Sequence, residues 1–466
     1  MAHDLTQPSD PALAPGAARC PGPSTRDIIL GDGDAPPPAL LAESYEFLGD
    51  ADIPYERYTS RAFFERELER MWSRTWQWAC REEHLPRVGD YVVYDVGPYS
   101  FIVVRSAPGE IKAFVNACPH RGIQWKAPGE SGNAGSFFRC PFHGMSWHLD
   151  GRLREIPCRW DFPHVDDSRF RPDEVRVETW GGFVFVNPDP NARPLREFLG
   201  VLPDHFAAWP LERRYVALHV QKTLPANWKM AMEAFLEAYH VLATHPEGLK
   251  TAGDANAQYD VWGDNVSRFV HTLAYPSPHL RHPPSQEQIA RMMGAWDDAS
   301  SPARLAAGDT ARQLVAAKLR RELGARYGVD LSRVSASEML DSIEYWLFPN
   351  MCLFPGVSLP MIYRFRPNGG DVDTCLHEIL FLAPIPASGE RPPPAPIVKL
   401  GIDDSYTSVP GFDRGLAYIY DQDTANLRRQ RDGVKASRKR GQTLGNYQEV
   451  RIRRLHLTLD NVMRAP

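Results

Sequence analysis

The sequence predicts an α+β fold with a separate all-β unit ahead of it, and three observations lead there. Short β-rich runs broken by Gly and Pro turns crowd into residues 87–190. Helix-like stretches and further strand-like runs follow, with no regular β-α alternation. Two close Cys/His pairs fall inside the β-rich region, and a Glu- and His-bearing helical stretch falls outside it.

At 466 residues the chain is long enough for two or three domains. Hydrophobic residues make up 43% and charged residues 24%, the balance of a globular protein. A formal net charge of -5 gives no reason to expect nucleic acid or an anionic membrane as a partner. No apolar run approaches the ~20 residues of a membrane helix. The seven cysteines, Cys20, Cys80, Cys118, Cys140, Cys158, Cys352 and Cys375, are scattered and odd in number. That argues against a disulfide framework and for a reducing, cytoplasmic setting. The start, MAHDLTQPSDPALAPG, lacks the basic and apolar regions of a secretory signal.

Residues 1–40, rich in Pro, Ala and Gly, read as a flexible tail. Residues 41–85 read as a helical segment packing on the C-terminal unit, with FFERELERMWSRTWQWAC (63–80) as its amphipathic helix. Residues 86–190 form the all-β unit, with strands in DYVVYDVG, SFIVVRSA, IKAFVNAC and GGFVFVNPDP. Residues 191–466 form the α+β unit. There LREFLGVLPDHFAAW, NWKMAMEAFLEAYHVLATH and the stretch 288–328 read as helices. YWLFPNMCLFPGVSLPMIYRF and CLHEILFLAP read as strands, ASGERPPPAP (387–396) as a proline-rich loop, and 411–436 as a long helical segment. No internal repeat is visible.

The β-rich unit holds CPHRGIQWK (118–126) and FFRCPFHGMSW (137–147). Cys118 and His120 are too close for a helical turn and must sit in one loop, Cys140 and His143 in a second. Gly122 and Gly144 let each loop turn tightly. Nineteen residues lie between His120 and Cys140, enough for a hairpin that brings the loops together. Two thiolates and two imidazoles in this arrangement can hold zinc or an iron–sulfur cluster. The doublets CPHRG and CPFHG resemble the Rieske [2Fe-2S] motif. The resemblance implies that one iron takes Cys118 and Cys140 and the other takes His120 and His143, with a potential of about −150 to +300 mV. The stretch between the loops is longer than is usual in that family, and Met145 stands where many members have Trp. The places of the extra cysteines of respiratory Rieske proteins hold Arg121-Gly122-Ile123 and Phe142 instead.

A second centre is suggested by NWKMAMEAFLEAYHVLATHP (227–246). On one continuous helix Glu233, Glu237 and His240 share a face. His245 is roughly 140° from His240, but it precedes Pro246, where a helix ends or distorts. The bland reading is two ordinary histidines and two solvated acids. Following the Rieske-like motif, the run acid-x-Tyr-His-x(4)-His resembles the Rieske non-haem iron oxygenases, alpha (catalytic) subunits of the aromatic-ring-hydroxylating dioxygenase family. The resemblance runs from about residue 45 to the C-terminus and implies a helix-grip catalytic domain, an antiparallel sheet with helices. It also implies mononuclear Fe(II) on His240, His245 and a downstream aspartate, with positions left open for O2. YIYDQDTANLRRQRDGVKAS (418–437) aligns Asp423 with that aspartate, with Asp421 as runner-up; the bland reading is that both are helix-start acids. Glu237 stands where the family usually has Asp. It is implied to bridge a neighbouring subunit's cluster histidine to His240, a substitution found in some enzymes acting on quaternary amines. Glu233 is a weaker supporting residue.

By the same resemblance, electrons come from NAD(P)H through a separate reductase, with or without a ferredoxin; the sequence carries no nicotinamide or flavin fingerprint. A homotrimer is implied, with or without a small beta subunit. The substrate expected is small and apolar, aromatic or alicyclic, as in aromatic hydrocarbon catabolism. N- or O-demethylation, or attack on a quaternary amine, is the alternative. Trp262, Phe269, Trp346, Phe348, Phe354 and Phe365 are candidate pocket residues, although such side chains are more often core. Two other classes remain open: a Rieske electron carrier without the second iron, and a zinc-stabilised binding protein.

Overall fold

The computed structural model describes residues 14, 16–20, 22–296 and 304–465. Its first large element is a seven-stranded antiparallel sheet. Gln77–Arg81, Phe183–Asn187, Glu174–Trp180, Glu110–Val115, Tyr99–Ala107, Asp90–Val96 and Ser131–Asn133 lie side by side in that order. A three-stranded sheet, Phe137–Arg139, Ser146–His148 and Leu153–Glu155, stands over it and carries the second Cys/His loop. Between the sheets Trp125, Phe138 and Trp147 close a small core around Cys118 and Cys140.

The second large element is an eight-stranded sheet: Ala252–Trp262, Val266–Leu273, Ser342–Leu347, Met351–Leu353, Met361–Asn368, Asp371–Pro384, Arg214–Leu224 and Ile397–Leu400. Neighbours run antiparallel except the last pair, which is parallel. Its central strands are buried on both faces, while the edge strand Ile397–Leu400 alternates exposed and half-buried residues. Ile379, Tyr363, Phe365 and Trp346 point to one side, against Trp228, Met232, Tyr420 and Leu455 of the helices and against Phe235. Leu380, Ile362, Tyr345 and Leu347 point to the other, against Leu202, Phe206 and Trp209.

Several expectations need correction. The stretch 63–80 is not one helix. The helix Arg61–Glu67 runs through a π-turn, Leu68–Trp72, and the chain then becomes strand Gln77–Arg81, paired with Phe183–Asn187. All five residues of that strand are buried, and Trp and Cys suit a pleated, covered surface better than a solvated helix. The all-β sheet therefore begins before residue 86. Part of the expected tail is also ordered. Ser24 and Asp27 form a capping box for helix Thr25–Gly31, whose Ile29 is buried with Leu40 against the second sheet. Asp32 pairs with Arg312 at 2.8 Å. Residues 1–13, 15 and 21 of that expected tail lie outside the described residues. The stretch 288–328 forms Gln286–Met292 and Ala311–Tyr327, with 297–303 outside the described residues. The strands Arg214–Leu224, Ala252–Trp262 and Val266–Leu273 and the helix Val450–Arg464 were not foreseen.

Candidate metal centres

The two Cys/His loops are built alike. Ile123 O accepts from Cys118 N, and Met145 O accepts from Cys140 N, each at 2.8 Å. Gly122 N and Gly144 N donate back to Cys118 O and Cys140 O. Both glycines have positive φ, 75° and 77°, which a side chain would strain. Asn116 braces the first loop, taking the N–H groups of Trp125 and Lys126 and donating to Lys126 O. Cys118 and Cys140 are both 2% exposed, and burial pushes the Cys118 thiol up, with Cys140 adding to it. The rings of His120 and His143 lie 4.7 Å apart. His120 Nδ1 is buried without a hydrogen-bond partner, while His143 is exposed at the tip. Paired inward thiols, and an imidazole nitrogen denied any protein partner, fit a bridging metal group.

The second centre rests on a break in a helix. Trp228–Glu233 begins at Asn227, whose side chain caps Lys229 N, and ends seven residues before His240. A continuous helix would send Ala238 N to Ala234 O and His240 N to Leu236 O. Instead Tyr259 OH takes Ala238 N at 2.9 Å, and Glu237 Oε2 takes His240 N at 2.9 Å. Side-chain acceptors thus compete away the helical bonds. The shared helix face expected for Glu233, Glu237 and His240 does not form. His245, at φ −124° and ψ 54°, lies outside the helical region as its position before Pro246 predicts.

The break and the helix Arg414–Ala425 bring three side chains together. Ligand atoms of His240, His245 and Asp423 lie within 4.8 Å of one another. Asp423 Oδ1 is 3.3 Å from His240 Nε2 and 2.7 Å from His245 Nε2. The opposite ring nitrogens are both held: Glu237 Oε1 takes His240 Nδ1 at 2.6 Å, and Gln422 Oε1 takes His245 Nδ1 at 2.9 Å. Gln422 in turn donates to Glu247 at 2.8 Å. Both Nε2 atoms are thereby directed to one point. Burial works against charge on His240, but Glu237 and Asp423 outweigh it and raise its pKa to about 10. Asp423 is held below its usual range by the two histidines, against the effect of burial. Two imidazole nitrogens and a carboxylate oxygen around a point that favours positive charge are a fitting donor set for a divalent ion.

Other candidates fall elsewhere. Asp421 turns away to Ser405 and to Tyr406 N, 3.0 Å from the latter, so its runner-up position is not supported. Glu233 does not touch either histidine; it is held by Tyr58 OH, His456 Nε2 and Gln442 Nε2 at 2.8, 2.8 and 3.0 Å. Phe269, Trp346, Phe348, Phe354 and Phe365 are core, and Trp262 packs against His205 and Arg268. None of the six lines the cavity of about 200 Å³ beside His240 and Asp423. Its walls are mixed, with Glu233, Glu237, Glu449 and Gln442 alongside Leu427, Leu444 and Ile452. Strand registry buries Phe269, Trp346 and Phe365, and registry is invisible in composition. Gln422 was missed, although its place beside Asp423 was a usable signal.

Residues 205–465 match the family model described as ring hydroxylating alpha subunit (catalytic domain), and residues 75–166 match the Rieske [2Fe-2S] domain. The chain belongs to the ring-hydroxylating alpha-subunit family. Over 196 residues it is 33% identical to the carnitine monooxygenase oxygenase subunit of Escherichia coli (strain K12), covering 42% of this chain and 52% of that one. Over 267 residues it is 32% identical to benzene 1,2-dioxygenase subunit alpha of Pseudomonas putida, covering 51% and 59%. The chain thus spans about half the length of the curated relatives it matches. Among solved structures, a quaternary ammonium Rieske monooxygenase superposes with a TM-score of 0.62 at 18% identity, covering 91% of this chain and 100% of that one. Naphthalene 1,2-dioxygenase with indole bound gives 0.60 at 19% identity, covering 90% and 93%. The shared fold is an all-β Rieske domain joined to a sheet-and-helix catalytic domain. Members of this family carry a [2Fe-2S] cluster and a mononuclear iron and use oxygen as co-substrate; their alpha subunits work with electron-transfer partners. No helix among the described residues is long and apolar enough to cross a membrane.

Proposed function

We propose that this chain is the oxygenase component of a Rieske-type enzyme, oxidising a small organic substrate with O2 and externally supplied electrons. The observation that carries the proposal is the convergence of His240, His245 and Asp423 in the catalytic-domain region of a chain that also holds the paired Cys/His loops. Cys118, Cys140, His120 and His143 would hold the [2Fe-2S] group, and His240, His245 and Asp423 the iron. When bound, these groups supply one-electron transfer and dioxygen chemistry. The division proposed is an N-terminal segment to about residue 75, a Rieske domain to 190 and a catalytic domain to 466.

The chain's own residues orient and insulate these centres. Glu237 and Gln422 fix the tautomers of His240 and His245, so each ring presents Nε2 as a lone-pair donor. Glu237 sits at the wall of an open acidic cavity, where it can meet the histidine of a neighbouring subunit. The loop tip that would enter carries an exposed apolar side chain, Phe142, 52% exposed and against His143. With this arrangement goes a homotrimer in which electrons pass between subunits; a separate reductase with or without a ferredoxin, and NAD(P)H as the ultimate source, follow from the likeness to the family. A small beta subunit fits the same reading.

Hydroxylation of an apolar aromatic or alicyclic substrate is the main reading. Oxidation of a quaternary amine, or N- or O-demethylation, is the second. Two observations favour the second: Glu237 in place of the family's usual Asp, and the sequence likeness to carnitine and glycine betaine monooxygenase subunits. The deciding experiment loads the protein with iron anaerobically, reduces it, and admits O2 with an aromatic, steroid and amine panel. About three irons per chain and a single oxidised product support the proposal. His240→Ala should lose the product and one iron while keeping the visible spectrum. Product from His240→Ala would overturn the assignment of the oxygen-using site.

A further inference from the structure

A second cavity, of about 290 Å³, lies in the seam between the two large sheets and shares no lining residue with the one beside His240. Strands Gln77–Arg81 and Asp90–Val96 form one wall. Strands Arg214–Leu224, Met361–Asn368, Asp371–Pro384 and Ile397–Leu400 form the other, with the end of the proline-rich loop as a rim. That volume suits a small organic molecule better than a single water.

Three fixed cations line it, Arg364, Arg366 and Lys399, against the carboxylates of Glu378 and Asp95. Glu378 is engaged through both oxygens and Asp95 through one. Glu378 Oε1 accepts from His219 Nε2 at 2.9 Å, and Oε2 from Arg364 Nε and Nη2 at 3.1 and 2.8 Å. Asp95 is engaged through one oxygen only: Oδ2 accepts from Gly129 N at 2.7 Å, and Oδ1 is buried with no hydrogen-bond partner. Arg364 is thereby satisfied, with its guanidinium 3.7 Å over the Trp78 ring. Arg366 is not. It donates to Asp95 O at 2.7 Å and Gln221 Oε1 at 3.2 Å, its Nε has no partner, and it reaches only the occupied Glu378 Oε2, 3.7 Å away. Burial depresses its pKa, and Glu378 opposes that only against the repulsion of Arg364. Lys399 is exposed at the mouth, with no ion-pair partner among the described residues. His84 Nδ1 accepts from Arg81 N at 3.1 Å, so in the neutral ring Nε2 carries the proton. Burial, and then His219, lower its pKa to about 4, which keeps that ring a neutral donor.

The cavity therefore has surplus positive charge and unspent N–H groups beside apolar walls of Trp78 and Ile397. We propose that it binds a small organic carboxylate, its oxygens on Lys399 and the His84 N–H in the positive field of Arg366, and its apolar body against Trp78 and Ile397. An inorganic anion would satisfy the charge and leave the walls uncovered. Because the walls come from both sheets, the bound anion clamps the two units together and stabilises the folded protein by linkage.

The test uses the full-length iron-loaded protein and 4-fluorobenzoate, followed by fluorine NMR line broadening and by thermal unfolding, with acetate and inorganic phosphate as comparators. Saturable binding and a Tm that climbs with 4-fluorobenzoate concentration are expected. Acetate should bind more weakly, for want of an apolar body. Lys399→Glu, an exposed change that leaves the fold intact, should weaken binding about tenfold or more. His240→Ala should leave Kd unchanged. The proposal is overturned by no saturable binding, by wild-type Kd in Lys399→Glu, by loss of binding in His240→Ala, or by phosphate binding more tightly than 4-fluorobenzoate.

Discussion

Gln422→Leu separates orientation of the proposed iron-site histidines from their mere presence. Gln422 accepts from His245 Nδ1 at 2.9 Å and donates to Glu247 at 2.8 Å. Leucine keeps the volume and the helix propensity of the position but removes both bonds. His245, with a side chain only 9% exposed, then keeps an Nδ1–H with no acceptor. Leaving such a group unsatisfied costs about 1–3 kcal/mol. The cost falls on the ring orientation that presents Nε2, because the ring can escape it by rotating. Loss of an outer partner to a ligand histidine typically lowers metal affinity about 10–100-fold, which is about 1.4–2.7 kcal/mol. The two routes agree. The assay is an anaerobic Fe(II) titration against a chromophoric chelator, with the cluster absorbance read in the same sample. Gln422→Leu should weaken iron about 10–100-fold with the cluster band unchanged, and Gln422→Glu, which retains an acceptor, should recover most of it. Wild-type iron affinity in Gln422→Leu, or an equal loss in Gln422→Glu, would refute the reasoning.

Lys229 and Glu67 form an ion pair at 2.6 Å with both side chains fully buried. Lys229→Met should therefore destabilise by about 3–5 kcal/mol, while the double change with Glu67→Leu recovers most of that loss in urea unfolding. Asp423→Asn should abolish iron retention and Asp421→Asn should not, since Asp421 faces Ser405 and Tyr406; iron per chain after desalting reads the difference. Burial, with Glu237 and Glu233 adding, raises the Glu449 pKa from 4.5 to about 7 against the Gly445 N–H. A raised carboxylate pKa penalises the folded state as pH climbs from about 4.5, and the penalty is complete above about 7. Glu449→Gln should thus gain stability on the neutral side and none below pH 4.5, by up to about 2 kcal/mol after solvent screening. Parallel pH–stability curves for the two proteins would exclude that coupling.

How much could be read in advance depended on the range of the contacts. The cluster loops are local: Cys118 with His120, Cys140 with His143, and a glycine at each turn stand within a few residues of one another. Their geometry follows from backbone rules that act over the same distance. The strands Asp90–Val96, Tyr99–Ala107 and Glu110–Val115 were legible for the same reason, through β-rich runs and their turns. The strand Gln77–Arg81 was hidden because its pairing partner, Phe183–Asn187, lies a hundred residues on. The aromatic candidates failed likewise. Trp346 and Phe365 point into the helix-side core because of their register with Cys352 and His377, and nothing in their own neighbourhood announces it. The packed N-terminal segment was missed because Pro-rich composition masks a short capped helix, Thr25–Gly31, whose Ile29 is anchored on the far sheet.

The proposed iron site shows why a helical wheel does not find its histidines. A wheel asks which residues share a face of an intact helix, and His240 and His245 fail that test on any continuous helix. The fold removes the helix instead. Tyr259, from a strand, takes Ala238 N, and Glu237 takes His240 N. The bond that breaks the helix comes from the same carboxylate that holds His240 Nδ1. One side chain therefore opens the backbone, aims the imidazole and lines the acidic cavity. Shortening Glu237 to aspartate would have to preserve all three with one methylene fewer. Glutamate at this position is thus tied to the backbone path from Glu233 to Val241, and not only to whatever meets its carboxylate from outside.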